Sequence, residues 1–483
     1  MLANIASIEI PPITSSYLDW LRQQSVEHLA RYGVKHASLH DRQFLPRILL
    51  GEYFRDQFLR LVDLADKQGF NITVHESCQV KDVKATTDGV VICSDHNDPE
   101  HFDLAVIATG HVWPDAQSAS RTFFPSPWTG LMEAKIPACN VGILGTSLSA
   151  IDAAMAVVAQ HGRFVLDDAQ GVHFERNEGS QDLNILLMSR SGILPEADFY
   201  CPLPYEPLSI VTAEALEQCI ADGSAGLLDR IFMLIAKEIE LADPVWSKEV
   251  ALSSLNADRF TDVWFAARKK HDPFHWAAAN LEEVERNKRE KHTVAWRYAI
   301  LRLHEAVQEI VPWLDEKDRE RFNNGLARVF IDNYAAIPSQ SIRRLLALRE
   351  AGILNIRALG QDYQLEQKEK MTVIRAQGET YKFDVFIDAR GQKALKIKDL
   401  PFPSLRDQLQ STSEEIPDVG DDYTLQAPDI VRGRIALAAL PWLMHDQPFV
   451  QGLTACAEIG QCVAQAISRP ATRLRRRLPY YEA

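Results

Sequence analysis

Long apolar runs are missing from this chain. Its most apolar stretches, such as Ile435 to Leu440 and Leu104 to Ala108, fall far short of the roughly 18 residues that a membrane-spanning helix needs. No basic segment followed by an apolar one opens the chain, so nothing reads as an export signal. Cysteine is sparse and irregularly placed. The seven (Cys78, Cys93, Cys139, Cys201, Cys219, Cys456 and Cys462) form no C-x-x-C pair. Their odd number and spacing suit neither a disulfide framework nor a zinc site, and the expected compartment is the cytoplasm. Positive charge is in deficit: 52 Lys and Arg stand against 66 Asp and Glu, a net −14, which argues against nucleic acid as a partner. The local exception is Arg473, Arg475, Arg476 and Arg477, a solvated terminus or an anionic contact. There is no nucleophile elbow, P-loop, HExxH or solenoid repeat.

What is present is size and a succession of patterns. A chain of 483 residues is too long for one core and implies two or three domains. From Phe44 to Asp66, Leu50, Tyr53, Phe54, Phe58, Leu61 and Leu64 recur at helical spacing, and Gly69 follows as a stop. Strand-like stretches follow at Asn71–His75 and Gly89–Cys93, with Asp88-Gly89 as a hairpin signal. The run Phe102 to Ala108, ending in Thr109-Gly110-His111, reads as a buried parallel strand opening at a ligand crevice. Residues 113–137, rich in Pro, Ser and Trp, read as a linker. A βαβ pattern comes next: strand Val141–Leu144, turn Gly145, helix Leu148–Gln160, polar insert His161–Asp182, strand Leu183–Met188. From about Pro204 to Gln340 helical patterning dominates. Strand patterning returns at Leu354–Leu359, Thr372–Ala376 and Tyr381–Ala389. A last strand at Arg434–Leu440 and a helix from Leu453 to Ile467 close the chain.

The strongest chemical feature is Val141-Gly142-Ile143-Leu144-Gly145-Thr146-Ser147-Leu148-Ser149-Ala150. Against G-x-G-x-x-G/A, the three key positions are Gly145, Ser147 and Ala150. Gly145 permits the tight turn out of the strand, and Ala150 is small enough for close helix–strand packing. Ser147 departs from the glycine that lets backbone approach a pyrophosphate. Its hydroxyl can still donate to phosphate, and the following helix aims free N–H groups at an anion. Standing between a strand and a helix, the motif favours a dinucleotide site over a merely structural turn. The second strand ends Met188-Ser189-Arg190-Ser191-Gly192, where an NAD-type site would carry a carboxylate. A guanidinium among hydroxyls matches a 2′-phosphate better than a ribose diol, so NADPH is preferred. The alternative is that Arg190 extends its charge into water at a strand end.

Several motifs together resemble the FAD/NAD(P)-binding family of bacterial proteins, most closely its uncharacterised enterobacterial members. That family is distantly similar to flavin-containing and N-hydroxylating monooxygenases. The motifs are Phe44-Leu45-Pro46-Arg47 with Gly51-Glu52-Tyr53, Ala108-Thr109-Gly110-His111, Gly145-Thr146-Ser147-Leu148-Ser149, Ser189-Arg190-Ser191-Gly192, Asp388-Ala389-Arg390-Gly391 and Gln451-Gly452-Leu453-Thr454. The resemblance implies that Asn4 and Ser7 line the flavin side and that Thr109-Gly110 passes near FAD. It further implies that Gly452-Leu453-Thr454 opens a helix pointing its positive end at the flavin pyrimidine edge, where reduced flavin carries negative charge. The other reading of Gly452 is an ordinary turn. The resemblance also implies that a first strand–G-x-G-x-x-G–helix unit is absent, with Met1 an internal methionine.

The expectation is thus an α/β protein of two dinucleotide-binding, Rossmann-like domains with a helical insertion, its first FAD βαβ unit missing. The FAD-binding domain spans 1–115 and 400–483, the NAD(P)-binding domain 137–203 and 340–399, and the helical insertion 204–339. The expected cofactors are FAD and NADP, and the expected function is hydride transfer from NADPH to FAD, then reduction or oxygenation of a small molecule. The alternative is a nucleotide-binding or scaffolding protein without turnover. His111 and His445 read as structural histidines before acid/base candidates. Glu196, Asp198, Asp418, Asp421 and Asp422 read as solvated loop acids rather than metal ligands. The mixed-charge run from Glu282 to Lys291 reads as a solvent-facing helix.

Overall fold

The computed structural model describes residues 2–95, 98–114, 118–166, 171–450 and 452–468. Met1, Gln451 and the arginine-rich tail lie outside the described residues. The helix Arg47–Lys67 forms where the apolar spacing predicts it. Strands β1 (Val80–Thr86) and β2 (Gly89–Ser94) make the hairpin that Asp88-Gly89 signals, and β3 (Glu100–Phe102) adds antiparallel to β2. Residues 71–75, expected as a strand, do not form one. Phe70, Ile72 and Val74 are exposed there, with no ladder partner to hold an extended segment. The run from Phe102 breaks at Asp103-Leu104, and only β4 (Ala105–Ile107) is the parallel strand.

Further along lie β5 (Phe123–Phe124), β6 (Asn140–Leu144), the hairpin β7 (Gly162–Leu166) and β8 (Val172–Arg176), and β9 (Asn184–Ser189). After a long helical segment come β10 (Leu354–Ala358), β11 (Tyr363–Gln367), β12 (Thr372–Ala376), β13 (Glu379–Phe383), β14 (Val385–Asp388) and finally β15 (Ile435–Leu437). The chain divides into two compact units, one of residues 1–4 and 113–391, the other of 5–112 and 392–483.

The first unit is built on a five-stranded parallel sheet in the order β10-β9-β6-β14-β5. Val141, Ile143 and Leu144 of β6 are buried, as befits a parallel strand covered on both faces. The helix Leu148–Val158 packs there through Ala150, Ala153, Ala154 and Val157, small side chains that bring helix and sheet close. Residues 113–137 are more than a linker. Phe123 stacks on Phe386 with ring centroids 5.9 Å apart, making β5 an edge strand, and Leu131 and Ile136 are buried. The helical segment runs between β9 and β10. Its helix Pro273–Glu290 places Phe274, Ala277, Leu281 and Val284 in the core beneath the sheet. That helix includes most of the mixed-charge run, so one of its faces is core and not solvent.

The second unit has the antiparallel sheet β1-β2-β3 and the parallel pair β15-β4. Val83, Val90, Ala105, Ile107, Leu405, Leu425, Ile435 and Trp442 share its core. The expected strand Arg434–Leu440 stops at Leu437. A short helix, Leu440–Leu443, takes over, with Pro441 in its first turn, a position where proline's missing N–H is harmless. Among the described residues no helix is long and apolar enough to cross a membrane.

Candidate functional site

In the first unit, β6 leads through its helix to β9 and then β10 on one side, while β14 lies on the other. The carboxyl ends of β6 and β14 therefore flank a topological switch point, where open α/β sheets bind ligands. Gly145 turns the chain there with φ +142°. A Cβ on it would stand 2.7 Å from the Ala389 carbonyl oxygen and 3.2 Å from the Ala150 Cβ, so only glycine fits. Its N–H donates to the Met188 carbonyl at 2.6 Å. Thr146 is buried and its hydroxyl donates to Ser189 Oγ at 3.1 Å, while the Gly192 N–H donates to the same oxygen at 3.0 Å. Ser189 thereby ties the β6 turn to the β9 turn.

Ser147 is exposed, with φ −100° and ψ −165°, and its side chain makes no capping bond. Its backbone is ordinary extended chain, which is why a serine replaces the second glycine without strain. The first-turn N–H groups of Leu148, Ser149 and Ala150 receive no side-chain cap, the arrangement that suits a pyrophosphate. Arg190 is exposed and has no ion pair among the described residues. Arg390, at the end of β14, pairs with Asp388 at 2.6 Å. The residues fit a dinucleotide: a crowded glycine turn, an uncapped helix and a free guanidinium at the second strand's end.

In the second unit Thr109 and Gly110 follow β4 and are exposed. The helix Gly452–Ser468 begins at Gly452, with Leu453 half-buried and Thr454 exposed. A Cβ at Gly110 or Gly452 would meet no atom within 4 Å, so both backbones have open space beside them, as a flat ring system requires. Ser7 is buried and its hydroxyl donates to the Gln43 carbonyl at 3.2 Å. Asn4 belongs to the first unit, and its Oδ1 is buried without a hydrogen-bond partner. His445 bonds through Nε2 to the Leu395 carbonyl at 3.1 Å, a structural contact. His111 is exposed.

Two features escape the sequence reading. Glu196 is no solvated loop acid: it pairs with Arg297 at 2.8 Å, their side chains only 12% and 8% exposed, and accepts from Trp276 Nε1 at 2.9 Å. Burial works against its charge, yet Arg297 and Arg268 beside it hold the carboxyl below its ordinary range. Asp198 pairs with Lys288 at 2.9 Å. Arg268 pairs with Asp332 and also donates to the Leu194 carbonyl at 2.5 Å. The loop after β9 is thus bolted to the helical segment by ion pairs. The second feature is Arg328, on the helix Leu326–Tyr334. Its guanidinium carbon lies 5.4 Å from the centroid of Phe265, a ring that Arg268 faces at 5.7 Å while donating to the Leu194 carbonyl, and the charge of Arg190 acts on it although 138 positions separate the two in sequence (328 − 190).

Residues 1–112 match the family model described as FAD-NAD(P)-binding, and residues 212–334 match the YdhS-like middle domain. The fold and the first match define an FAD-NAD(P)-binding protein, and FAD and NAD(P) are the cofactors of that class. The uncharacterized protein YdhS of Escherichia coli (strain K12) is 68% identical over 481 residues, covering 99% of this chain and 90% of that protein. The chain belongs to the YdhS family. Among solved structures it resembles an ornithine N-hydroxylase from Kutzneria sp. 744, with 13% identity and a TM-score of 0.47 over 97% of this chain and 88% of that one. It also resembles L-lysine 6-monooxygenase from Pseudomonas syringae, with 10% identity and a TM-score of 0.33 over 87% of this chain and 82% of that one.

Proposed function

We propose that this chain is an FAD- and NADPH-dependent oxidoreductase that passes reducing equivalents from NADPH through FAD to a small molecule, by reduction or oxygenation. The observation that carries the reading is the crowding of Gly145 against the Ala389 carbonyl at the switch point between β6 and β14. A turn that admits no side chain is what close backbone approach to a pyrophosphate demands. When bound, the two cofactors supply the hydride chemistry; the chain supplies binding, orientation and electrostatics.

Gly145, Thr146 and Ser147 present the turn, and the N–H groups of Leu148 and Ser149 offer donors to a diphosphate. Arg190 offers a charged fork to a 2′-phosphate. In the second unit Thr109 and Gly110 border the flavin, and the helix opening with Gly452, Leu453 and Thr454 directs its positive end at the pyrimidine edge. The test is to reconstitute the protein with FAD, remove the excess, and add NADPH without oxygen. The reading expects retained yellow colour and bleaching that is faster with NADPH than with NADH. Protein that retains no FAD and consumes no NADPH refutes it.

A further inference from the structure

The inserted helical segment reaches the end of β9 at a defined place. Arg268, on the helix Ala257–Lys269, donates to the Leu194 carbonyl four residues beyond Arg190 and pairs with Asp332. Trp264 Nε1 also donates to Asp332, at 2.8 Å. Asp332 stands one helical turn after Arg328, so the two share a face of the helix Leu326–Tyr334. Phe265 anchors the same corner, its ring centroid 5.4 Å from the Arg328 guanidinium carbon and 5.7 Å from that of Arg268.

Arg328 is half-buried, Arg190 is exposed, and neither has an ion pair among the described residues. Four other buried or half-buried arginines of this unit, Arg268, Arg297, Arg321 and Arg343, are matched by carboxylates, while Arg176, Arg230 and Arg302 donate to backbone carbonyls. Two guanidinium groups without an ion pair thus belong to the corner where the second strand of the nucleotide fold ends, Arg328 over the Phe265 ring that Arg268 also faces, and Arg190 four residues before the Leu194 carbonyl that Arg268 holds. Burial first, and then the positive charge of Arg190, hold the Arg328 guanidinium below the usual arginine range, with Asp332 and Asp262 opposing. Like charges brought together destabilise each other until an anion lies between them. A phosphate dianion offers three acceptor oxygens, enough for two forks.

We propose that Arg328 completes, with Arg190, the subsite for the 2′-phosphate of NADP, so that the inserted helical domain takes part in choosing the coenzyme. The proposal rests on the reading of β6 to β9 as the NADP unit. It assigns to the helical segment a specificity role that the strand-end arginine alone does not imply.

The experiment is calorimetry on the whole chain with NADP+, NAD+, 2′,5′-ADP and 5′-AMP, using the parent protein, Arg190→Ala, Arg328→Met, the double variant and Gly145→Val. Methionine keeps the apolar contact with Phe265, and thermal unfolding checks that each variant is folded. Arg328→Met should weaken NADP+ and 2′,5′-ADP by roughly 10- to 100-fold while leaving NAD+ and 5′-AMP unchanged. The double variant should lose less than the product of the single losses, because both side chains hold one phosphate. Arg328→Lys, which keeps charge without the fork, should fall between parent and methionine variant. If Arg328→Met changes all four ligands alike, or none, while Gly145→Val still abolishes NADP+ binding, the Arg328 assignment is overturned and the dinucleotide reading stands. If the parent binds none of the four, the dinucleotide reading fails and the proposal falls with it.

Discussion

Gly145 and Ala389 meet backbone to backbone: a Cβ on the glycine would lie 2.7 Å from the alanine carbonyl oxygen. Two strands that are neighbours in the sheet but distant in sequence thus leave a gap that no side chain can enter. Gly145→Val should abolish nicotinamide coenzyme binding and lower stability by about 1–3 kcal/mol through overpacking. The helical segment should stay folded, as circular dichroism would show. Undiminished coenzyme affinity in calorimetry would mean that the turn is only structural.

Arg190 governs the second prediction. A charge-assisted hydrogen bond contributes about 1.5–3 kcal/mol, so Arg190→Ala should weaken NADPH by roughly 10- to 150-fold. NADH, which lacks the 2′-phosphate, should hardly change. Equal losses for the two coenzymes, measured by fluorescence titration, would remove Arg190 from the 2′-phosphate site.

Thr146 gives a third. Its hydroxyl donates to Ser189 Oγ, and that oxygen also accepts from the Gly192 N–H. Thr146→Val keeps the shape and deletes one bond, for a loss of about 1 kcal/mol in stability. Because the bond joins the turn after β6 to the turn after β9, NADPH affinity should fall as well. A stability loss with unaltered affinity would show that the two turns are positioned independently.

The fourth concerns acid. Burial disfavours the charge on Glu196, but Arg297 and Arg268 outweigh it and hold the carboxyl below its ordinary range. A depressed folded-state pKa contributes stability that is complete above the unfolded value, about 4.3 for glutamate. That contribution is lost as pH falls through the folded-state value. Glu196→Gln should therefore cost about 3–5 kcal/mol near neutral pH, and its deficit should shrink once pH drops below about 4. Urea unfolding at neutral and acid pH measures this. A deficit that stays constant into acid would contradict the ion-pair account.

Much of the five-stranded sheet unit is legible in the sequence because its signals are local. The run Val141–Leu144, the glycine after it and the alanine-rich helix face each declare themselves within a few residues. The second strand is legible for the same reason, and Arg190 with it. Residues 113–137 mislead because proline, serine and tryptophan outweigh Phe123 and Phe124, whose strand forms only by pairing with β14. Asn71–His75 misleads in the other direction, since alternation makes a strand only where a neighbour supplies a ladder. Glu196 looks like a loop acid beside Pro195, and nothing nearby in sequence announces Arg297, Arg268 or Trp276. Arg328 is invisible for the same reason: an arginine on an amphipathic helix carries no mark of what it faces in space.

The parallel neighbours β9 and β10 are separated by residues 190–353, which include the whole helical segment. Helices close through local contacts and form early, whereas pairing strands so far apart carries the entropy of a long loop. During synthesis β6 and β9 emerge well before β10, and one flank of β9 waits uncovered until the helices have condensed and delivered β10. The hydrogen bond to the Leu194 carbonyl and the Glu196 ion pair with the helices shorten that wait, since they draw the ends of the long excursion together. A lesion in this buried ionic corner would thus express itself as a sheet with an open edge, the state from which chains aggregate.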